Sequence, residues 1–210
     1  MTYRTGQENF WVGQFGNEYI KRNKEDKQLA SNINLFSDAF NHIEKPDSLI
    51  EFGANIGMNL KAIKLLLPSI ELFGIEINEI ASNELVKLIE RHNVFVGSIF
   101  DYIPEKKYNI VLTKGVLIHI NPDKLPDVYD KIYDSSDKYI LLCEYYNPTP
   151  MTINYRGHSN CLFKRDFAGE MLEKYPNSLS LVDYGFCYRR DNNFPQDDLT
   201  WFILKKGVKK

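Results

Sequence analysis

The sequence predicts one α/β domain spanning residues 1–210, with a seven-stranded, mostly parallel sheet, helices on both faces and an antiparallel last strand. Two observations support this fold. Short apolar segments alternate with segments of helix length from residue 49 to residue 143, as in a parallel sheet. The apolar segments 179–183 and 200–204 have no helical pattern between them, which favours a hairpin and therefore an antiparallel final strand.

The expected elements follow one another closely along the chain. Residues 8–42 are expected to be helical, with a break at 23–26, and residues 1–45 as a whole are interpreted as an N-terminal helical cap. A last helix is expected at 167–175, before the hairpin. The alternating strands and helices between them are expected, in chain order, at 49–52, 59–67, 72–75, 79–91, 94–96, 108–113, 125–133 and 139–143.

Composition narrows the classes of function. The net charge of −2 and the absence of a basic cluster argue against nucleic acid as a partner. The N-terminal residues are polar and no apolar run approaches the ~20 residues that span a bilayer, so we expect a cytoplasmic protein without a membrane partner. The three cysteines and four histidines lack the spacing of metal ligands, and no metal is expected. The sequence does not indicate an oligomeric state.

A glycine-containing loop joins the first strand to the following helix. Gly53 can turn sharply and allow a close approach of the backbone to a ligand, and Gly57 can let the helix start pack tightly. Asn55 stands where a middle glycine would be, and asparagine tolerates positive φ better than most residues. Glu51 ends the strand, and Glu76 ends the next strand 23 positions after Gly53 (76 − 53 = 23). An acidic side chain at this second position can accept both ribose hydroxyls of an adenosine.

The loop favours S-adenosylmethionine over NAD as the adenosine cofactor. A dinucleotide loop usually has the spacing G-x-G-x-x-G, whereas this loop reads E-x-G-x-N-x-G. The Glu51 carboxylate would repel a pyrophosphate but suits the amino group and sulfonium of S-adenosylmethionine.

These motifs resemble class I S-adenosylmethionine-dependent methyltransferases, which have a Rossmann-like fold. The terminal strand 201–204 belongs to the same resemblance. Over nearly the whole chain the sequence is similar to the pseudaminic acid biosynthesis-associated methylases. The segments that carry this closer similarity are 112–122, 144–150, 155–158, 163–170 and 194–198.

The resemblance implies a set of cofactor-binding residues. Tyr19 and Arg22 lie in a segment, 15–22, that resembles a cap over the cofactor, where either side chain could reach its carboxylate. Ser98 and Ile99 would flank the adenine; Ser98 stands where many class I enzymes have an aspartate for the adenine amino group, and this departure leaves open whether a side chain or the backbone contacts adenine. The complete implied set is Glu51, Gly53, Ala54, Asn55, Gly57, Glu76, Ile77, Ser98, Ile99, Lys114, Gly115, Tyr19 and Arg22.

The acceptor side is expected in residues 145–163, which show no helical or strand pattern. A connection of that length is usually functional or disordered, and its tyrosines, Arg156 and His158 favour a substrate-side lid. Arg156 could bind the carboxylate of an acidic sugar or could only fix the loop. The residues expected to contact substrate are Tyr145, Tyr146, Asn147, Arg156 and His158.

Two side chains are candidates for the general base that a hydroxyl acceptor needs. His119 follows the fourth strand and titrates near neutrality, and Glu144 ends the fifth strand. Each could instead be structural, His119 as a packed histidine and Glu144 as a hydrogen-bonded carboxylate.

The resulting hypothesis is a methyltransferase that acts on a nonulosonic sugar, free, activated or carrier-linked. Two alternatives stay open at this point: an NAD-dependent sugar oxidoreductase or epimerase, and a non-catalytic protein of the same fold that binds a partner.

Overall fold

The computed structural model describes residues 3–22 and 26–207. Three helices lead into an alternating β/α region, which a β-hairpin, a helix and two long strands follow. The helices are α1 (Gly6–Val12), α2 (Gln14–Arg22), α3 (Asp26–Phe40), α4 (Met58–Leu66), α5 (Glu79–Leu85), α6 (Leu125–Ser135) and α7 (Phe167–Lys174). The strands are β1 (Ser48–Phe52), β2 (Glu71–Glu76), β3 (Val94–Val96), β4 (Tyr108–Lys114), β5 (Ser136–Glu144), β6 (Met151–Tyr155), β7 (His158–Lys164), β8 (Leu179–Cys187) and β9 (Leu199–Lys206).

Seven strands form one sheet in the order β3-β2-β1-β4-β5-β9-β8. The first five in that order pair in parallel, whereas β9 lies antiparallel between β5 and β8. This topology confirms the fold predicted from the sequence, including the antiparallel last strand. The carboxyl ends of β1, β2 and β4 consequently meet at one edge, where ligands of open α/β sheets bind.

Alternating strand residues face two separate cores. In β1, Leu49 packs on one side with α3, α4 and α5, while Ile50 and Phe52 pack on the other with α6 and α7. This places Glu51 on the same side as Leu49, beneath α4. None of the described helices has both the length and the apolar character that crossing a bilayer requires.

Two expectations about local structure are wrong. The helix expected at 79–91 ends at Leu85, and a short 3₁₀ helix at Arg91–Asn93 precedes β3. Residues 145–163 are not free of regular structure, because β6 and β7 pair in an antiparallel hairpin. Its turn residues Arg156 and Gly157 both have positive φ, 51° and 87°, as a two-residue hairpin turn requires. An arginine in that conformation is no turn signal, and half of the strand residues are exposed, so the apolar alternation is weak.

Candidate active site

A cavity opens at the carboxyl ends of β1, β2 and β4, and α1 and α2 cover it. From the sheet side it is lined by the glycine loop, the residues after β2 and β3, and the segment after β4. From the N-terminal side it is lined by both covering helices and by Gln28 of α3. The predicted cofactor residues on its wall are Tyr19, Gly53, Ala54, Asn55, Glu76, Ile77, Ser98, Ile99, Lys114 and Gly115.

The glycine loop has the backbone that its residue types predict. Gly53, Asn55 and Gly57 all have positive φ, at 73°, 49° and 83°. A Cβ atom on Gly53 would lie 2.6 Å from a methyl group of Val116, so the loop and the segment after β4 approach each other too closely for any side chain there. Gly57 does not line the cavity. A Cβ atom on it would lie 2.8 Å from Leu85, so Gly57 serves the packing of α4 against α5.

Glu76 lies in the cavity wall with its carboxylate fixed at both oxygens. The backbone N–H of Asn55 donates to Oε2 and that of Asn78 donates to Oε1, both over 2.7 Å. Burial raises the pKa of Glu76, and these hydrogen bonds oppose the increase. Each carboxylate oxygen has a further lone pair, so the group can accept additional hydrogen bonds from a ligand in the cavity.

Glu51 lies one layer deeper than the sequence suggests. It is fully buried and does not line the cavity; Asn59, which does line it, donates to Glu51 Oε1 over 2.6 Å. Oε2 has no hydrogen-bond partner among the described residues. Burial raises the pKa of Glu51 to about 8, although the hydrogen bond from Asn59 and the positive charge of Lys114 oppose that increase. Glu51 itself therefore does not lie on the cavity wall, and Asn59 connects it to the cavity.

The residues after β3 form an apolar end of the cavity. Ile77 follows β2, and Ile99 and Phe100 follow β3, all three on the cavity wall. The Ser98 hydroxyl accepts from the backbone N–H of Phe100 over 3.1 Å and thus closes the local turn. The hydroxyl hydrogen of Ser98 is not used in this bond, so both the side chain and the backbone at this end can make polar contacts with a ligand.

Glu144 holds the segment after β4 in place. Its carboxylate accepts from the backbone N–H groups of Val116, Leu117 and Ile118 over 3.1–3.4 Å. Burial raises the pKa of Glu144 to about 7, and these backbone donors oppose the increase. Glu144 does not line the cavity. This geometry does not fit a general base and instead fits a structural carboxylate that positions the loop.

His119 lies in the same segment and does line the cavity. Its Nδ1 is 2.6 Å from the carbonyl oxygen of Cys161 in β7. Since a carbonyl only accepts, Nδ1 carries the hydrogen and Nε2 has a free lone pair. Burial lowers the pKa of His119 to about 4, so the imidazole is neutral at physiological pH. The geometry provides an uncharged proton acceptor at the cavity wall.

Comparison with solved structures places this architecture among known folds. The plantazolicin methyltransferase BpumL, in complex with SAH, matches 96% of this chain and 94% of its own, with a TM-score of 0.67 at 14% identity. The magnesium protoporphyrin IX methyltransferase ChlM from Synechocystis PCC 6803, with bound SAM, matches 99% and 100%, with a TM-score of 0.65 at 12% identity. This chain has the class I methyltransferase fold.

A third structure of the same fold is the mitomycin 7-O-methyltransferase MmcR, with a TM-score of 0.68 at 12% identity; the match covers 97% of this chain and 61% of that one. No protein-family model matches the sequence, and no curated protein matches it. The similarity to class I methyltransferases is therefore found by comparison of three-dimensional structures.

Aromatic rings from the covering helices, from the segment after β4 and from β6 form a cluster beside the cavity. The Trp11 ring lies 4.7 Å from His119 and 5.2 Å from Tyr19, measured between ring centroids. Tyr155 of β6 reaches the cluster at 5.2 Å from His119 and 5.7 Å from Phe15. Tyr19 therefore lies at the cavity as predicted. The side chain of Arg22 lies outside the described residues.

None of the five predicted substrate residues lines the cavity. Tyr146 and Arg156 are exposed, Tyr146 after β5 and Arg156 at the hairpin turn. Asn147 donates its amide hydrogen to the carbonyl of Thr149, 2.6 Å away. His158 contacts the aromatic cluster through Phe15, with 5.9 Å between the ring centroids. The His158 ring lies 5.0 Å from that of Phe10, and Tyr145 is half-buried with a pKa raised by burial.

Sequence reasoning missed three contributors to the site: Trp11, Asn59 and Asn78. Asn78 follows Glu76 by two positions and precedes a helix, which is a recognisable N-cap signal. Asn59 and Trp11 carry no such signal. Their positions depend on the packing of α4 over β1 and of α1 over the sheet edge.

Proposed function

We propose that this protein transfers a methyl group from S-adenosylmethionine to a small-molecule sugar acceptor. The observation that carries the proposal is the Glu76 carboxylate, which lies in the cavity wall and is oriented by the N–H groups of Asn55 and Asn78. A carboxylate fixed in this way at the end of β2 is suited to accept both hydroxyls of an adenosine ribose. The same-fold structures of BpumL and ChlM contain SAH and SAM, which supports an adenosine cofactor.

The residues present fit each part of that cofactor. Ile77 and Ile99 would enclose the adenine in the apolar end of the cavity, and Glu76 would hold the ribose. Asn59 links the cavity to the buried carboxyl group of Glu51, and the positive charge of the amino group or the sulfonium would favour the ionised form of that group. Tyr19 would close over the amino-acid end.

When bound, S-adenosylmethionine supplies an electrophilic methyl carbon on a sulfonium leaving group. The protein has to align the acceptor, exclude water and take up a proton. Trp11 and Tyr19 of the covering helices and Val116 and His119 of the segment after β4 all line the cavity, and together they would exclude water from it. A hydroxyl acceptor would lose its proton to Nε2 of His119 as its oxygen forms the new bond to carbon.

The proposal of a sugar as the acceptor rests on the segment that contains the β6–β7 hairpin. One of the segments that resemble the pseudaminic acid-associated methylases, 155–158, forms the turn of the β6–β7 hairpin. The exposed Arg156 guanidinium at that turn can bind a carboxylate through two parallel hydrogen bonds. An acidic nine-carbon sugar offers such a carboxylate together with hydroxyl acceptors. MmcR and ChlM, by their names, also act on small molecules.

The test is mass spectrometry of nucleotide-activated pseudaminic acid incubated with the protein and S-adenosylmethionine. A product heavier by one methylene, absent with the Glu76→Ala variant, is the expected result, and fragmentation would locate the methyl group. Absence of a product despite cofactor binding would overturn the activated sugar as acceptor and leave the free and carrier-linked sugars to be assayed in the same way. Binding of NAD instead of S-adenosylmethionine would overturn the methyltransferase proposal.

A further inference from the structure

Asn78 connects the predicted ribose site to the helices that cover the cavity. Its Oδ1 accepts from the backbone N–H groups of Ile80 and Ala81 and so caps α5. Its Nδ2 donates one hydrogen bond to the carbonyl of Trp11 over 3.1 Å and another to Oδ1 of Asn17 over 2.8 Å. Asn78 is 4% exposed, so these bonds form away from bulk water. The amide oxygen of Asn78 thus caps α5, and its amide nitrogen binds α1 and α2.

Gly16 shows how tightly the covering helices are fitted at this point. A Cβ atom on Gly16 would lie 1.8 Å from the carbonyl oxygen of Trp11 and 3.1 Å from Nδ2 of Asn78. Only a glycine lets the start of α2 approach the end of α1 and the Asn78 amide together. The backbones of α1 and α2 are therefore in close contact at the point where the Asn78 amide binds them.

Asn78 is also joined to the ligand side of the cavity. Its own backbone N–H donates to Oε1 of Glu76, the carboxylate proposed to hold the ribose. Trp11 and Tyr19, which the covering helices bring over the cavity, line the same space as Glu76. Asn78 therefore orients the Glu76 carboxylate through its backbone and binds the covering helices α1 and α2 through its side chain.

We infer that Asn78 is a positioning residue. Its hydrogen bonds to Trp11 and Asn17, here called the latch, hold α1 and α2 over the cavity and thereby set the affinity for the adenosine cofactor. The inference rests on the proposed function only for the identity of that cofactor. With the latch formed, the cover is already closed before the ligand binds, and less binding free energy is spent on ordering it. Without the latch, cofactor binding must itself close the cover.

The decisive variant is Asn78→Asp, because an aspartate keeps the N-cap oxygen for α5 but has no amide hydrogens for Trp11 and Asn17. Asn78→Ala loses both the cap and the latch. If capping were the only role, Asn78→Asp would bind SAH like the wild type and only Asn78→Ala would be impaired. The latch predicts that both variants lose affinity, by about tenfold for two hydrogen bonds of ordinary strength.

Asn17 supplies the matched control, since its hydrogen bond to Asn78 involves neither the Glu76 carboxylate nor the N-cap of α5. Asn17→Asp still accepts from Asn78 and should bind SAH like the wild type. Asn17→Ala removes one of the two bonds and should weaken binding by a few-fold. Loss of affinity in Asn78→Asp but not in Asn17→Ala would point to repulsion between Asp and Glu76, and would overturn the latch.

Hydrogen exchange of residues 6–20, measured on the full-length protein, provides a readout that does not need a ligand. The ligand-free wild type should show protected amides in this segment, whereas Asn78→Asp should show faster exchange there and unchanged exchange in the central strands. Equal exchange in the two ligand-free proteins would overturn the latch. Wild type that is protected but does not bind SAH would overturn the proposed function and leave the latch standing. Faster exchange with unchanged SAH affinity would overturn the coupling to the cofactor.

Discussion

Replacing Glu51 by glutamine should remove a loss of stability that the wild-type protein suffers as pH rises. Burial raises the pKa of Glu51 from its ordinary value of 4.5 to about 8 in the folded protein. The folded state therefore binds this proton more tightly than the unfolded state does. The stability gained from that difference is complete below pH 4.5 and is lost as the pH rises through 8. Glutamine has no such proton and keeps an oxygen for the hydrogen bond from Asn59.

The size of the effect follows from the two pKa values. The difference between 4.5 and about 8 corresponds to about 5 kcal/mol at 1.36 kcal/mol per pH unit. About 3 kcal/mol of this should be lost between pH 5 and pH 8. The pKa values of Glu76 and Glu144 are also raised by burial, but both residues are present in wild type and variant, so their contributions cancel in the comparison.

The assay is urea unfolding of ligand-free wild type and Glu51→Gln at pH 5, 6, 7 and 8. The free energy of unfolding of the variant, relative to that of the wild type, should increase by about 3 kcal/mol from pH 5 to pH 8. The urea dependence of the two proteins should be similar. Stability curves that run parallel from pH 5 to pH 8 would show that burial does not hold Glu51 neutral. They would refute the assignment of Glu51 as a buried carboxyl group that is neutral in the ligand-free protein.

Three further predictions concern the cavity wall. Gly53→Ala should lower the affinity for SAH in calorimetry by about tenfold or more, because its Cβ would meet Val116 at a φ of 73°; unchanged affinity would contradict the close approach. Glu144→Gln should lower the free energy of unfolding by about 2 kcal/mol, since three backbone N–H groups lose a carboxylate, and a variant as stable as wild type in urea would contradict the positioning role. His119 should titrate in NMR near pH 4, not near 6.5, so the stability it contributes as a neutral imidazole is complete above 6.5 and lost as the pH falls through 4. His119→Gln should lower kcat and leave the SAH affinity unchanged, whereas equal losses in both would contradict the role as base.

The sequence was sufficient to predict the features that depend on local patterns. Alternating strands and helices gave the parallel sheet, and the missing helix between 179–183 and 200–204 gave the antiparallel β9. The left-handed conformation of Asn55 follows from its residue type, and the placement of Glu76 at the cavity follows from its distance to Gly53. Each of these depends on spacing along the chain and on the geometry of strands and turns.

The features that could not be predicted depend on contacts between distant segments. The two hydrogen bonds that Nδ2 of Asn78 donates join residues more than 60 positions apart. The backbone N–H groups that Glu144 binds lie 26–28 positions before it in the chain. Whether Glu51 faces a ligand or lies behind Asn59 depends on how α4 packs on β1. The β6–β7 hairpin was missed because half of its strand residues are exposed and its turn contains Arg156 in place of an asparagine or a glycine.

The central claim is that Glu76 holds the ribose of S-adenosylmethionine in this cavity. Calorimetric titration of wild type and Glu76→Gln with SAH, and of wild type with NAD, tests it most directly. The account predicts that wild type binds one equivalent of SAH and no NAD, and that the variant binds SAH about thirtyfold more weakly, because a charged hydrogen-bond acceptor is lost. Equal SAH affinity in the two proteins, or binding of NAD in preference to SAH, would contradict it.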